Sequence, residues 1–331
     1  MSFRLKLILA LIPFCAVTLP AAAQKGIFDH IDSLLAERQQ RSAGRYDTAY
    51  ITRPYQPWTV RLGVNASGTD LYSRGNISGT QFSSDLSTTL KATVGVNVSY
   101  RGLSLGFSLN PARLSGKNKD YEFNLNAYGN RMGLDLLITS AETFSGDVER
   151  GGETVRVAPG KVSMKSIQAN IYYSFNRRRF SFPAAFSQSQ LQKHSCGSWL
   201  LGLSALGGRI DNSDGSVSGS APVRLTVINV GLGAGYAYNF VWGGRWLLHL
   251  SAMPQIVVYS HSRLTVGDGR QRAPFKFPSI INVGRIAGVR YFGNKFIGFS
   301  AIINMWHHGD SDRLSVESLK WRARLFYGFR F

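Results

Sequence analysis

The sequence predicts an all-β protein, a transmembrane antiparallel up-and-down β-barrel of about twelve strands with a short N-terminal helix. Three observations predict it. From Trp58 onward apolar residues recur at every second position, the period of a strand with two unlike faces. No later stretch approaches the roughly eighteen consecutive apolar residues of a helical span. A mean hydropathy of −0.08 fits strands that turn half of their side chains away from lipid. The last stretch, residues 319–331, sorts into two stripes. Leu319, Trp321, Ala323, Leu325, Tyr327, Phe329 and Phe331 share one face, and Lys320, Arg322, Arg324, Phe326, Gly328 and Arg330 the other. An unbroken apolar stripe backed by cations suits a strand with lipid outside and a wet, basic interior.

The chain starts with an export signal at residues 1–23. Arg4 and Lys6 are basic, residues 7–19 are almost wholly apolar, and Ala21-Ala22-Ala23 offers small side chains for cleavage before Gln24. Cys15 follows Ile12-Pro13-Phe14, which lacks the small residues expected before a lipid-modified cysteine. Only Cys196 then remains, so no internal disulfide forms. A formal charge of +19 suits nucleic-acid binding in a cytoplasmic protein. An exported chain meets other anions instead. The expected location is the outer membrane of a Gram-negative bacterium. The expected partners are outer-membrane lipid, lipopolysaccharide, the barrel-assembly machinery and small anionic solutes, with no nucleic acid.

Residues 24–56 form a periplasmic helix and linker, with Ile27, Phe28, Ile31, Leu34 and Leu35 at helical spacing over 25–41. The barrel occupies 57–331. Its first strand turns Trp58, Val60, Leu62 and Val64 outward and Thr59, Arg61, Gly63 and Asn65 inward. The second puts Lys91 inward between Leu90 and Ala92, and the third alternates from Leu103 to Leu109. In the next two, Glu122 and Asp135 face inward among Tyr121, Phe123, Leu134 and Leu136. Further strands follow around Ile167–Phe175, Trp199–Ala205 and Ile228–Phe240. Trp246, Leu248, Leu250, Ala252, Ile256 and Val258 then oppose His249, Ser251, Gln255 and Tyr259. Two more strands near 277–291 and 296–306 precede the last. Continuous alternation from Phe277 places Arg285 in lipid, at a cost of about 2–4 kcal/mol. A bulge near Gly284 is expected to correct this.

Tight turns at Arg101-Gly102, Gly129-Asn130, Gly243-Gly244 and Gly293-Asn294 alternate with longer connections near 67–83, 110–120, 143–162, 211–223, 263–275 and 307–316. Short turns belong on the periplasmic side and long loops outside. Residues 177–197 break that rule. They are either a segment folded back into the lumen or an ordinary periplasmic loop.

Tyr46-Asp47-Thr48-Ala49-Tyr50-Ile51, Tyr128-Gly129-Asn130-Arg131 and Phe180-Ser181-Phe182-Pro183-Ala184-Ala185-Phe186-Ser187-Gln188 together resemble an uncharacterised domain-of-unknown-function family, DUF4421, of Bacteroidota outer-membrane-type proteins. The resemblance implies an exported barrel and brings no activity, so no functional residue carries over. The alternating aromatics Tyr327, Phe329 and Phe331 resemble the C-terminal assembly signal of outer-membrane barrels.

Two constellations carry candidate chemistry. Arg61, Lys91, Lys320, Arg322 and Arg324 all face inward, and closing the barrel sets the first strand beside the last, gathering them on one wall; Glu122 and Asp135 face inward elsewhere. Rings of cations favour anions in pores, so the leading expectation is a porin-like or transport-related barrel for small anionic solutes. The alternative is that these charges pair internally in a plugged, non-conducting barrel. His249 and Ser251, two apart on one face, share the spacing of acyl-hydrolysing outer-membrane barrels, where a histidine base activates the serine. That gives a lipid-modifying enzyme as runner-up, although no orienting carboxylate is assignable. His307-His308-Gly309-Asp310 is expected to be a loop tip rather than a metal site, and no metal or cofactor is expected. Gly231, Gly233 and Gly235 are expected to make room for a neighbouring side chain.

Overall fold

The computed structural model describes residues 44–331 and Ser33, except for 78, 101–102, 110–119, 213–221, 274 and 311–313. The expected signal at 1–23, the helix at 25–41 apart from Ser33, the turn at Arg101-Gly102 and most of the loops near 110–120 and 211–223 lie outside the described residues. The chain divides into units at 1–46 and 47–331, and the second contains every strand among the described residues.

The strands are β1 (Ile51–Thr52), β2 (Trp58–Ile77), β3 (Thr80–Thr88), β4 (Lys91–Tyr100), β5 (Leu103–Leu109), β6 (Tyr121–Tyr128), β7 (Met132–Ala141), β8 (Phe144–Arg150), β9 (Glu153–Val157) and β10 (Val162–Ser174). A five-residue helix, α1 (Phe182–Phe186), and β11 (Leu191–Gln192) follow. Then come β12 (Cys196–Asn212), β13 (Val223–Trp242), β14 (Trp246–Val266), β15 (Gly269–Arg272), β16 (Ile280–Phe292), β17 (Lys295–Asp310) and β18 (Leu314–Arg330). Twelve of them form an antiparallel wall in the order β5-β4-β2-β18-β17-β16-β14-β13-β12-β10-β7-β6. The first barrel strand lies beside the last, as the alternation predicts. At one end lie the short turns and both barrel termini. There Gly243 and Gly244, each at φ 60°, make the three-residue turn between β13 and β14 together with Arg245.

At the other, loop end, β2 changes partner. It pairs with β4 over Trp58–Ser67 and with β3 over Asp70–Ile77. β3 then pairs with β8, which continues β7, and β8 with β9, which runs on into β10. The hydrogen-bonded wall thus returns to the strands it left.

One alternation runs through both halves, but its sign inverts. Near the turn end, Leu62, Val64, Leu201, Leu232 and Leu325 are exposed outside, while Asn65, Gln168, Asn170, Ser204, Gln255 and Asn304 are buried inside. Near the loop end, Leu71, Phe82, Leu86, Phe144, Val148, Leu225, Leu264 and Val316 fill the interior as an apolar core. Arg74, Asp85, Asp147, Glu149 and Arg263 point outward there. Lipid around one half and water around the other account for the reversal.

That reversal overturns the expected loops. Residues 67–83, 143–162, 263–275 and 307–316 are largely strand, folded as the β2–β3, β8–β9, β14–β15 and β17–β18 hairpins. In these hairpins Leu71, Phe82, Leu86, Phe144, Val148, Leu264 and Val316 point inward, opposite to the apolar-outward phase of a lipid-facing strand. Three further expectations are corrected. Arg285 faces inward without a bulge at Gly284: β16 begins only at Ile280, so the phase carried from Phe277 was never continuous, and its pairing with β17 is unbroken. Tyr259 is 57% exposed, because an irregularity opposite Val230 and Gly231 adds Val258 to β14 and flips the facing of the residues beyond it. At Gly233 and Gly235 a Cβ would strike the backbone carbonyls of Pro254 and Ala252, so close approach of β14, not a neighbouring side chain, demands glycine.

Candidate functional site

The lumen near the turn end is occupied by residues 180–192. Ser181 caps α1, its Oγ accepting the Ala184 amide at 3.1 Å, and Pro183 sits in the first turn, where its missing N–H is no loss. Phe180, Phe182, Ala184 and Ala185 are wholly buried and pack with the inward-facing Tyr172, Leu200, Leu247, Met253 and Ala287. Phe182 lies 4.4 Å from the Tyr172 ring and Phe186 5.1 Å from that of Tyr128, centroid to centroid. Burying each phenylalanine contributes roughly 1.5–3 kcal/mol.

The wall also holds the segment by its backbone. Asn239 Nδ2 donates to the Ser181 carbonyl at 2.9 Å, and Tyr291 donates to that of Ala184 at 3.2 Å. Arg61 donates to the Phe186 carbonyl at 2.9 Å and to Gln188 Oε1 at 2.6 Å. Arg330 reaches the Gln188 carbonyl at 2.9 Å. Gln188 stands in the left-handed region at φ 53°, and its side chain bonds back to the Ala185 carbonyl at 2.7 Å. Of the two expectations for 177–197, the inserted one is observed. β11 pairs with β1 below it.

A charged layer lies above this plug. Glu122 accepts from Lys320 at 2.8 Å, Asn124 at 2.8 Å and Ser67 at 3.1 Å, with Arg322 3.9 Å away. Arg285 meets Asp135 at 2.5 Å and lies over the Tyr172 ring. Lys91 stands 3.7 Å from Asp120. Arg324 donates to Asn65 at 2.5 Å. All five predicted basic residues face inward on β4, β2 and β18, the strands around the closure, and Glu122 and Asp135 face inward too. Arg285, expected in lipid, and Asp120, which the sequence did not mark, join the layer, because their roles depend on partners across the lumen. No carboxylate reaches Arg61, Arg324 or Arg330 among the described residues. A cavity of only about 20 Å³ remains beside Glu122, Asp135 and Arg322.

The His249–Ser251 pair is hydrogen-bonded, Nε2 to Oγ, at 3.0 Å. Its third member is Asn239, whose Oδ1 lies 2.8 Å from His249 Nδ1. An amide, rather than a carboxylate, stands in this place, unmarked by the sequence and set directly opposite His249 by the register. His249 and Asn239 are fully buried. Phe182 and Phe186 of the plug stand 5.1 and 5.0 Å from the imidazole. His307 and His308 belong to β17 rather than a loop tip, since hairpin pairing with β18 continues to Asp310. No group of three metal-ligating residues occurs among the described residues. Tyr327, Phe329 and Phe331 lie on the outer face, and Phe331 is bonded to Trp58 through both backbone groups.

An inward-polar, outward-apolar wall around an internal plug defines a transmembrane β-barrel of the up-and-down class. Residues 45–331 match the family described as a domain of unknown function, DUF4421, and the chain belongs to that family. No curated protein matches it by sequence. Among solved structures it is similar to the outer membrane protein OprG of Pseudomonas aeruginosa, at 10% identity and a TM-score of 0.30 over 86% of this chain and 99% of that one. It is also similar to OmpT of Vibrio cholerae, at 8% identity and 0.31 over 82% and 99%. A third is the translocator domain of the autotransporter NalP of Neisseria meningitidis, at 8% and 0.26 over 93% and 98%. TM-scores of this size carry none of those proteins' activities over to this chain.

Proposed function

We propose that this protein is an outer-membrane transport barrel whose passage is held shut by the segment around α1 and opens to small anionic solutes. The belt of exposed apolar side chains supports a place in lipid, where lipopolysaccharide surrounds the wall and the assembly machinery reads the terminal aromatics. One observation carries the reading. Arg61 and Arg330 hold the plug through neutral acceptors, the Phe186 and Gln188 carbonyls and the Gln188 side chain. A carboxylate or phosphate makes stronger bonds to a guanidinium than a carbonyl does. A solute anion can therefore compete for both arginines and loosen the plug. Planar-bilayer recording tests this. The intact barrel should be closed most of the time, and a variant with 180–190 replaced by a short Gly-Ser linker should conduct steadily with anion preference at low salt. Steady conductance by the intact barrel, or a plugless pore without that preference, would overturn it.

A second reading rests on the Ser251–His249–Asn239 relay. With Asn239 fixing the imidazole, Nε2 can take the Ser251 proton while Oγ attacks an ester carbonyl. The imidazolium returns that proton to the alcohol that leaves; water, deprotonated by the same nitrogen, then releases the acyl group as a fatty acid and restores the serine. The plug covers His249, so this chemistry also requires the segment to leave. Acyl release from phospholipid or lipid A by the plugless variant, lost in Ser251→Ala, supports an enzyme. No release with or without calcium retires it.

A further inference from the structure

The loop-end core is not completely filled. A cavity of about 70 Å³ opens within it, walled by Leu71, Phe82, Leu86, Leu225, Leu264 and Val316. One amide interrupts the apolar lining. Asn212, at the last inward position of β12, is 5% exposed, and neither its Oδ1 nor its Nδ2 has a hydrogen-bond partner. The hydroxyls of Ser73 and Ser84, the other polar lining groups, bond to each other at 2.5 Å. An amide left unpaired among leucines gives up its hydration with nothing in return, and leucine at this position would carry no such cost. A donor and an acceptor, side by side on the wall of an apolar cavity, form the usual plan of a small-molecule site.

We infer that this cavity is a binding site for a small neutral amphiphile: a short aliphatic body ending in one group that both donates and accepts, such as a primary amide, a hydroxyl or an undissociated carboxyl. The volume sets the size. At roughly 10–15 Å³ for each water-sized occupant, the cavity holds about five non-hydrogen atoms. The head is set by Asn212, whose Oδ1 needs a donor while its Nδ2 needs an acceptor. An ionised carboxylate offers acceptors only and would bring a bare charge into an apolar chamber. The site therefore selects neutral over anionic forms of the same molecule. It lies beyond the charged layer and does not depend on the transport reading.

The test uses the full barrel in lipid nanodiscs, since detergent would compete for an apolar cavity. With asparagine labelled by nitrogen-15, the Asn212 side-chain signal is identified by its loss in Asn212→Leu. Titration with propionamide should shift that signal saturably, with a midpoint of about 1–10 mM for so small a ligand. Propionate at neutral pH should not. Leu225→Trp fills the chamber and should abolish the shift; Leu264→Phe serves the same purpose should the tryptophan variant fail to fold. Asn212→Leu should also raise the unfolding temperature of the empty barrel. No saturable shift, equal response to propionate, or a shift that survives both filling substitutions overturns the site. So does a lower unfolding temperature in Asn212→Leu, which would mean that water already satisfies the amide.

Discussion

Arg285 brings a full charge into the wall of a membrane barrel and finds one acid there, Asp135, on a strand that is not its neighbour. Removing one member of such a buried pair leaves the other uncompensated, at a cost of about 3–5 kcal/mol. Asp135→Asn should therefore lower the temperature at which the folded band disappears on gels. Combining Asp135→Leu with Arg285→Met should recover most of the loss. Unchanged unfolding in Asp135→Asn would mean that the pair carries no stability. Alternation alone told which way Arg61, Lys91, Glu122, Asp135, Lys320, Arg322 and Arg324 point, because pleating fixes the face. It could not tell that Glu122 serves Lys320, or that Asn239 sits against His249. The first contact crosses the lumen between strands remote in sequence, and the second joins the arms of one hairpin, where the register set by the turn decides it.

The plug is an element whose oddity was legible and whose location was not. Its length and its mix of phenylalanine, serine and glutamine set 177–197 apart from a turn. Its place inside depends on donors and rings offered by Arg61, Tyr172, Asn239, Tyr291 and Arg330 on five different strands. Phe182 is its most central contact, touching Tyr172, Phe180, Phe186 and His249. Phe182→Ala should remove about 3–5 kcal/mol from the seating of the segment while leaving the wall paired. At tenfold for each 1.4 kcal/mol, openings in planar bilayers should rise by about 100-fold or more, with unchanged migration of the folded band. Unaltered opening would show that the segment does not gate the barrel. The loop-end hairpins posed a similar difficulty. Their strand period is present in the sequence, but their apolar residues face inward, the opposite of the phase that marks a lipid-facing strand.

Across the whole molecule, β2, β12, β13, β14, β17 and β18 each run through both halves, so a single strand crosses from one kind of surroundings to the other. Selection then applies two opposed grammars to one continuous segment. A leucine placed at the inward Asn65 should damage the barrel, whereas the inward Leu71 tolerates only its like. Outside, Arg in place of Leu62 should cost about 2–4 kcal/mol near the bilayer midplane, whereas the outward Arg74 already stands in water. Saturation mutagenesis scored by surface display would draw this as a map in which the permitted and forbidden columns trade places part-way up each long strand. The height of that crossover, traced strand by strand, would mark where the membrane ends on this protein. A map with one grammar from end to end would show that the bilayer covers the full wall.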